Sequence, residues 1–188
     1  MRTSWELLTP RLRMRPMTPA DRPALARVLQ DPAVMYAYEH AFSDEEVADW
    51  LQRQLDRYAG YGFGLWLVEC RTDGRVIGQC GVTRQPVPPD IAPGPVPEVG
   101  YLFEKAFWHK GYAAEAARAC RDYAFRALGV PAVYSIIRDT NAASRAVALR
   151  NGMQVVGQFT KHYHGVEMPH LVYRVRAEEA GLCPPREV

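Results

Sequence analysis

Apolar and polar residues alternate along Leu12–Met17 (LRMRPM), the period-two pattern of a strand with one buried face. Thr18 followed by Pro19 supplies a cap and a first helical position, predicting a helix over about 19–30. Ser43 and Glu46 make a capping box for a second helix, about 43–59, with Val47, Trp50, Leu51 and Leu55 on one face. FGLWLVEC (63–70) and RVIGQCGVTR (75–84) read as two strands joined through Asp73-Gly74, a hairpin signal. Residues 86–97 carry six prolines, which suit neither a ladder nor a helix and predict a semi-rigid extended loop.

Strand character returns in EVGYLFE (98–104), followed by a Gly-containing turn and a helix over about 112–128 that ends at Gly129. AVYSIIR (132–138) is a short β-branched run, the mark of a buried strand. Asn141 opens a further helix, stopped by Asn151-Gly152, and the chain from Met153 to Arg176 reads as a final hairpin. The predicted order is β-α-α-β-β-β-α-β-α-β-β. A strand, tight turn, helix and strand in its middle form a βαβ unit within a mixed sheet, so the fold class is α/β of mixed type.

The chain has 188 residues, 48% of them hydrophobic and 23% charged, the composition of one ordinary globular domain. A formal net charge of +2 gives no footprint for nucleic acid. No apolar run is long enough to span a bilayer, and the first residues lack the h-region of a signal peptide, so no membrane partner is expected. Cys70, Cys80, Cys120 and Cys183 show no CxxC spacing, which indicates neither a zinc site nor a disulfide framework and fits a cytoplasmic location.

Residues 107–116, FWHKGYAAEA, place a cation and several small residues where a helix begins. One reading is a helix end packed tightly on a strand. The other is a cradle for phosphate, because the first turn of a helix has unpaired N–H groups and the positive end of the macrodipole. Gly111 and Ala113 would leave those groups open, and Lys110 would add a charge; the pattern is not a Walker loop.

EVGYLFEKAFWHKGYAAEA followed by NAASRAVALRNGM resembles the GCN5-related N-acetyltransferase (GNAT) superfamily, in its RimJ/RimL-like branch. The resemblance extends to TPRLRMRPMTPADRPALARVL and covers about residues 9–173 in motif order and spacing. It implies a single N-acetyltransferase domain over 1–188 with its core at about 9–176, and a mixed, mostly antiparallel sheet flanked by helices. It implies acetyl-CoA as acyl donor, a primary amine as acceptor (a protein N-terminus or a small molecule), direct attack in a ternary complex, and no metal. The superfamily's turn pattern, Q/R-x-x-G-x-G/A, falls on Trp108, His109, Lys110, Gly111, Tyr112 and Ala113. Trp108 departs from Gln or Arg, and His109 from a small residue. By the resemblance, His109 to Ala114 hold the pyrophosphate, Leu102 and Phe103 lie beside the pantetheine, and Asn141 and Ser144 match an N-x-x-S cap that contacts the cofactor. Leu102, Phe103 and Asn141 serve equally as core or cap residues.

Acetyl transfer needs a neutral amine, a stabilised oxyanion and a protonated leaving thiol. A lysine amine is neutral only about once in a few thousand at pH 7, a protein N-terminus roughly a tenth of the time, so a general base matters more for the first. Glu98, at the start of the strand leading into the turn, is the candidate base; its alternative is an edge carboxylate paired with an arginine. A backbone N–H of strand 98–104 would meet the oxyanion, with Gly100 easing a bulge. Glu104 and Glu115 read as solvated or helix-terminal. Many superfamily members carry a tyrosine acid seven residues after the asparagine, where this chain has Ala148, so Ser144, a water or Tyr134 would serve. That gap leaves a second reading open, a non-catalytic acyl-CoA-binding module.

His162, His164 and His170 lack the spacing of a metal site and read as surface or acceptor-side residues. Tyr36, Tyr38, His40 and Phe42 either wall an acceptor pocket or cap a core. Loop 86–97 would shape one lip of the acceptor cleft or a dimer contact, which leaves a homodimer open.

Overall fold

A computed structural model describes residues 6–38, 40–163 and 165–182; His164 and Cys183 lie outside them. The elements are β1 (Leu7–Leu8), β2 (Leu12–Arg15), α1 (Arg22–Leu29), α2 (Asp44–Tyr61), β3 (Leu65–Cys70), β4 (Val76–Gln85), β5 (Val96–Phe103), α3 (Tyr112–Arg126), β6 (Ala132–Arg138), α4 (Ala142–Arg150), β7 (Gln154–Tyr163) and β8 (Val166–Arg176). The strands follow the hydrogen-bonded order β1-β2-β3-β4-β5-β6-β8-β7. Pairs β1–β2, β2–β3, β3–β4, β6–β8 and β7–β8 are antiparallel, and β5–β6 is parallel. This is the mixed, mostly antiparallel α/β sheet expected from the sequence, with one strand more: β1, too short to show periodicity.

Two compact units make up the chain, Met1–Gly81 with Gly100–Ala119 and Val82–Val99 with Cys120–Val188. In the first, Leu25 and Leu29 of α1 and Val47 and Leu51 of α2 bury themselves against Leu65 and Leu67 of β3. Helix α2 forms where its sequence says it should. The Glu46 N–H donates to Ser43 Oγ at 3.2 Å, the Ser43 N–H to Glu46 Oε2 at 2.7 Å, and Gly62 ends the helix at φ 81°. Helix α1 begins later than expected. Pro19–Asp21 form a 3-10 turn in which the Asp21 carboxylate accepts from the Thr18 N–H at 2.7 Å and from Arg15 Nη2 at 2.8 Å. The Arg15 hydrogen bond is the main reason that the Asp21 carboxyl lies below its ordinary pKa.

Glycine is required in β4 by close approach. A Cβ on Gly78 would lie 2.3 Å from the Leu102 carbonyl oxygen, and one on Gly81 would lie 2.2 Å from that of Gly64. Glu104 corrects the sequence reading: it is not solvated but buried, clamped by Arg27 at 3.0 Å and Arg75 at 2.7 Å. A buried carboxylate needs such partners, and both come from positions remote in sequence.

The second unit is built on the β6–β8–β7 ladder, with Ile136 opposite Val172 and Arg138 opposite His170. Val87, Ile91 and Ala92 of the proline-rich segment pack on a cluster of Val96, Tyr134 and Val172. That burial draws Val96 and Pro97 into β5, so the loop ends two residues earlier than the prolines suggest. Cys70, Cys80 and Cys120 are buried and joined in no disulfide. Among the described residues no helix is long and apolar enough to cross a membrane.

Candidate active site

In the first unit, the turn after β5 is held at both ends. Trp108 Nε1 donates to the Phe103 carbonyl at 2.8 Å. Gly111 has φ 81° and His109 has φ 58°, a left-handed conformation that a residue with a Cβ adopts at a cost. His109, Lys110 and Gly111 are exposed, and α3 starts directly after them with Tyr112, Ala113 and Ala114. Small residues in this first turn leave the unpaired N–H groups of the helix accessible. The Lys110 ammonium sits 5.3 Å from the centre of the Phe107 ring, and Arg75 lies 4.9 Å over the same ring.

Arg11, which the sequence reading passed over, braces this turn. Its Nη1 donates to the Lys110 carbonyl at 2.9 Å, its Nε to Glu115 Oε2 at 2.6 Å, and its guanidinium lies 4.4 Å over the Tyr112 ring. Thr9 Oγ1 and the Arg11 N–H both donate to Glu115 Oε1, at 2.6 and 3.0 Å. Partial burial alone would push the Glu115 carboxyl up, but these donors outweigh it and hold its pKa below the ordinary value. Glu115 is thus helix-terminal, as one of its two readings had it, and firmly bound. Leu102 is half-buried against the α1–α2 core, and Phe103 is buried.

Tyr36, Tyr38, His40 and Phe42 precede α2. Phe42 packs edge-on with Trp50 at 5.7 Å and with Tyr38 at 6.1 Å, and Tyr36 meets Trp108 of the turn at 6.3 Å. His40 pairs with Glu46 at 2.8 Å.

In the second unit, β5 and β6 are in register at Glu98 and Tyr134, and the ladder changes character immediately after. Beyond that pair, side chains of each strand bond to the backbone of the other. The Ile136 N–H donates to Glu98 Oε1 at 3.3 Å, and Ser135 Oγ donates to the Val99 carbonyl at 2.7 Å. Thr83 Oγ1 donates to Glu98 Oε2 at 3.1 Å and itself accepts from Gln85 Nε2 at 3.2 Å. Both carboxylate oxygens of Glu98 accept a hydrogen bond, and the residue is only partly buried. Ser135 is a small polar residue within an apolar run, a signal that was open to notice. Gly100, expected to ease a bulge, meets only Leu65 Cδ2 at 3.8 Å from an added Cβ, so packing does not demand glycine there.

Asn141 caps α4, its side chain accepting from the Ser144 N–H at 3.0 Å. Ala148 is buried on α4, and Tyr134 is buried in the cluster beneath the proline-rich segment. His170 Nδ1 donates to the Met168 carbonyl at 2.7 Å, which leaves Nε2 with the lone pair in the neutral ring, and the ring stacks on Phe159 at 6.2 Å. His162 is exposed. The described residues contain no group of three or more His, Cys, Asp or Glu side chains able to hold a metal ion.

Residues 11–154 match the model of an acetyltransferase (GNAT) domain, and the chain belongs to that family. It is 36% identical over 154 residues to the uncharacterized protein YkkB of Bacillus subtilis, covering 81% of this chain and 87% of that one. It is 30% identical over 186 residues to an FsC-acetyl coenzyme A-N(2)-transacetylase of Aspergillus fumigatus, covering 92% and 77%. Its fold matches RimL, a ribosomal L7/L12 alpha-N-protein acetyltransferase solved in complex with coenzyme A. That match has a TM-score of 0.74 at 19% identity, over 91% of this chain and 97% of that one.

Proposed function

We propose that the protein is a single-domain N-acetyltransferase that moves an acetyl group from acetyl-CoA to a primary amine by direct attack in a ternary complex. The observation that carries this reading is the turn Trp108–Gly111, whose exposed residues His109, Lys110 and Gly111 lead directly into α3 in a chain of the GNAT family. Amides from His109 to Ala114 would hold the pyrophosphate, with the Lys110 ammonium free to leave the Phe107 ring for it. Leu102 and Phe103 would border the pantetheine, and Asn141 and Ser144 would contact the carrier from the start of α4.

Glu98 is the proposed base. Hydrogen bonds from Thr83 Oγ1 and the Ile136 N–H orient its carboxylate, which would receive a proton from the amine directly or through a water. The thiolate leaves with a pKa near that of cysteine, about 8.5, so a hydrogen-bond donor such as Ser144 or a water suffices where Ala148 replaces a tyrosine. The relative from Aspergillus fumigatus is named for N(2) transfer and RimL for an alpha-N site. The α-amine of a protein N-terminus is neutral far more often than a lysine side chain at pH 7, which lightens the demand on the base. Both a protein N-terminus and a small-molecule amine remain acceptors for the screen below.

Calorimetric titration with acetyl-CoA, followed by an acceptor screen that reads thiol release, tests the proposal. Binding near micromolar affinity, about −8 kcal/mol, together with acceptor-dependent thiol release supports it. Binding without turnover on any amine favours the acyl-CoA-binding module, and no binding at all withdraws the transferase reading.

A further inference from the structure

The turn before α3 holds two left-handed residues, Gly111, which adopts that conformation readily, and His109, which adopts it at a cost. Something must hold it in shape. Arg11 does so from the corner between β1 and β2, with separate arms of one guanidinium on the Lys110 carbonyl and the Glu115 carboxylate.

The first contact has a directional consequence. The Lys110 carbonyl and the Gly111 N–H belong to one planar trans peptide and point in opposite directions. A guanidinium that fixes the carbonyl on one side fixes the N–H on the other, and that N–H is in the stretch assigned to the pyrophosphate. The second contact is electrostatic. Glu115 lies in the first turn of α3, where its charge would oppose a bound pyrophosphate. With Arg11 at 2.6 Å and Thr9 at 2.6 Å, that charge is balanced and drawn to the β1–β2 corner. The Glu115 side chain is only 17% exposed, so the neutralising partner is not easily replaced by solvent ions.

We infer that Arg11 is a positioning residue for the pyrophosphate of the acyl carrier, acting through the Lys110 carbonyl and the Glu115 carboxylate without touching the ligand. The inference rests on the reading that this turn binds acetyl-CoA. It assigns to the first strands of the chain a part in cofactor affinity.

The test is calorimetry at 25 °C with acetyl-CoA and with S-acetylpantetheine, which has the acyl arm but no pyrophosphate. Arg11→Gln is expected to lower acetyl-CoA affinity by about tenfold to a hundredfold and to leave S-acetylpantetheine unchanged. Removing the opposing charge as well, in Arg11→Gln/Glu115→Gln, should return part of the loss. Arg11→Lys should lose affinity too, because one ammonium cannot reproduce a planar fork between two acceptors; it decides the matter if Arg11→Gln does not fold. An acetyl-CoA affinity within about twofold of wild type in both Arg11 variants overturns the inference. So does an equal loss for both ligands, which would make Arg11 a structural brace only. If the wild-type protein binds no acetyl-CoA, the functional reading itself fails and takes this inference with it.

Discussion

The Ser135 hydroxyl donates to the Val99 carbonyl at 2.7 Å, so that a side chain of β6 ties it to the backbone of β5. The adjacent Ile136 N–H donates to the Glu98 carboxylate at 3.3 Å. Both bonds lie next to the register pair Glu98–Tyr134, and one of them orients the proposed base.

Ser135→Ala should cost about 1–3 kcal/mol in a urea denaturation, because Ser135 is 2% exposed and Val99 1% exposed, and the carbonyl would lose its donor away from water. A midpoint that does not move would mean that another donor satisfies the Val99 carbonyl.

Glu98→Gln keeps the shape and removes the proton acceptor. On an identified acceptor it should lower kcat by on the order of a hundredfold at neutral pH, with acetyl-CoA affinity little changed. Steady-state rates across acceptor concentrations separate the two parameters. An unchanged kcat removes Glu98 from the role of base.

The turn offers a paired test on backbone conformation. Gly111→Ala puts a Cβ on a residue at φ 81°, 3.4 Å from Arg11 Nη2, and should cost about 1–2 kcal/mol together with acetyl-CoA affinity. His109→Gly, at φ 58°, relieves a similar strain and loses part of the gain to the greater freedom of glycine in the unfolded chain. It should leave stability equal or raised by up to about 1 kcal/mol. Thermal melts of the two variants, read against each other, give the sign at each position.

What the sequence carried was local. The Ser43–Glu46 box marks the start of α2, AVYSIIR coincides with β6, and Asn141 stands at the cap of α4. What it hid depends on partners far away in the chain. Glu104 looks solvated until Arg27 and Arg75 fold onto it, and Arg11 meets Glu115 across 104 residues. A left-handed His109 has no composition signal, because the conformation is imposed by the bonds at either end of its turn. The family pattern led to the turn and to Glu98 and Ser144, while Thr83 and Ser135, which fix Glu98 and its strand, emerged only with the packing.

His170 gives a pH signature. Burial is the main cause that lowers its pKa below the ordinary value, with Lys161 on β7 and Arg138 across on β6 acting in the same direction. The Met168 carbonyl and Asp139 oppose them without reversing the shift. The folded protein therefore takes up this proton at lower pH than the unfolded chain, where histidine titrates near 6.5. Above about pH 6.5 the stabilisation is fully present, and it is lost as the pH falls from there through the folded value. His170→Phe retains a ring to stack on Phe159 and cannot titrate. Urea midpoints at about pH 7.5 and 5.5 should therefore fall less in this variant than in the wild type. Equal falls would mean that His170 is protonated as readily in the folded protein as in the unfolded chain, and that the acid sensitivity resides in other groups.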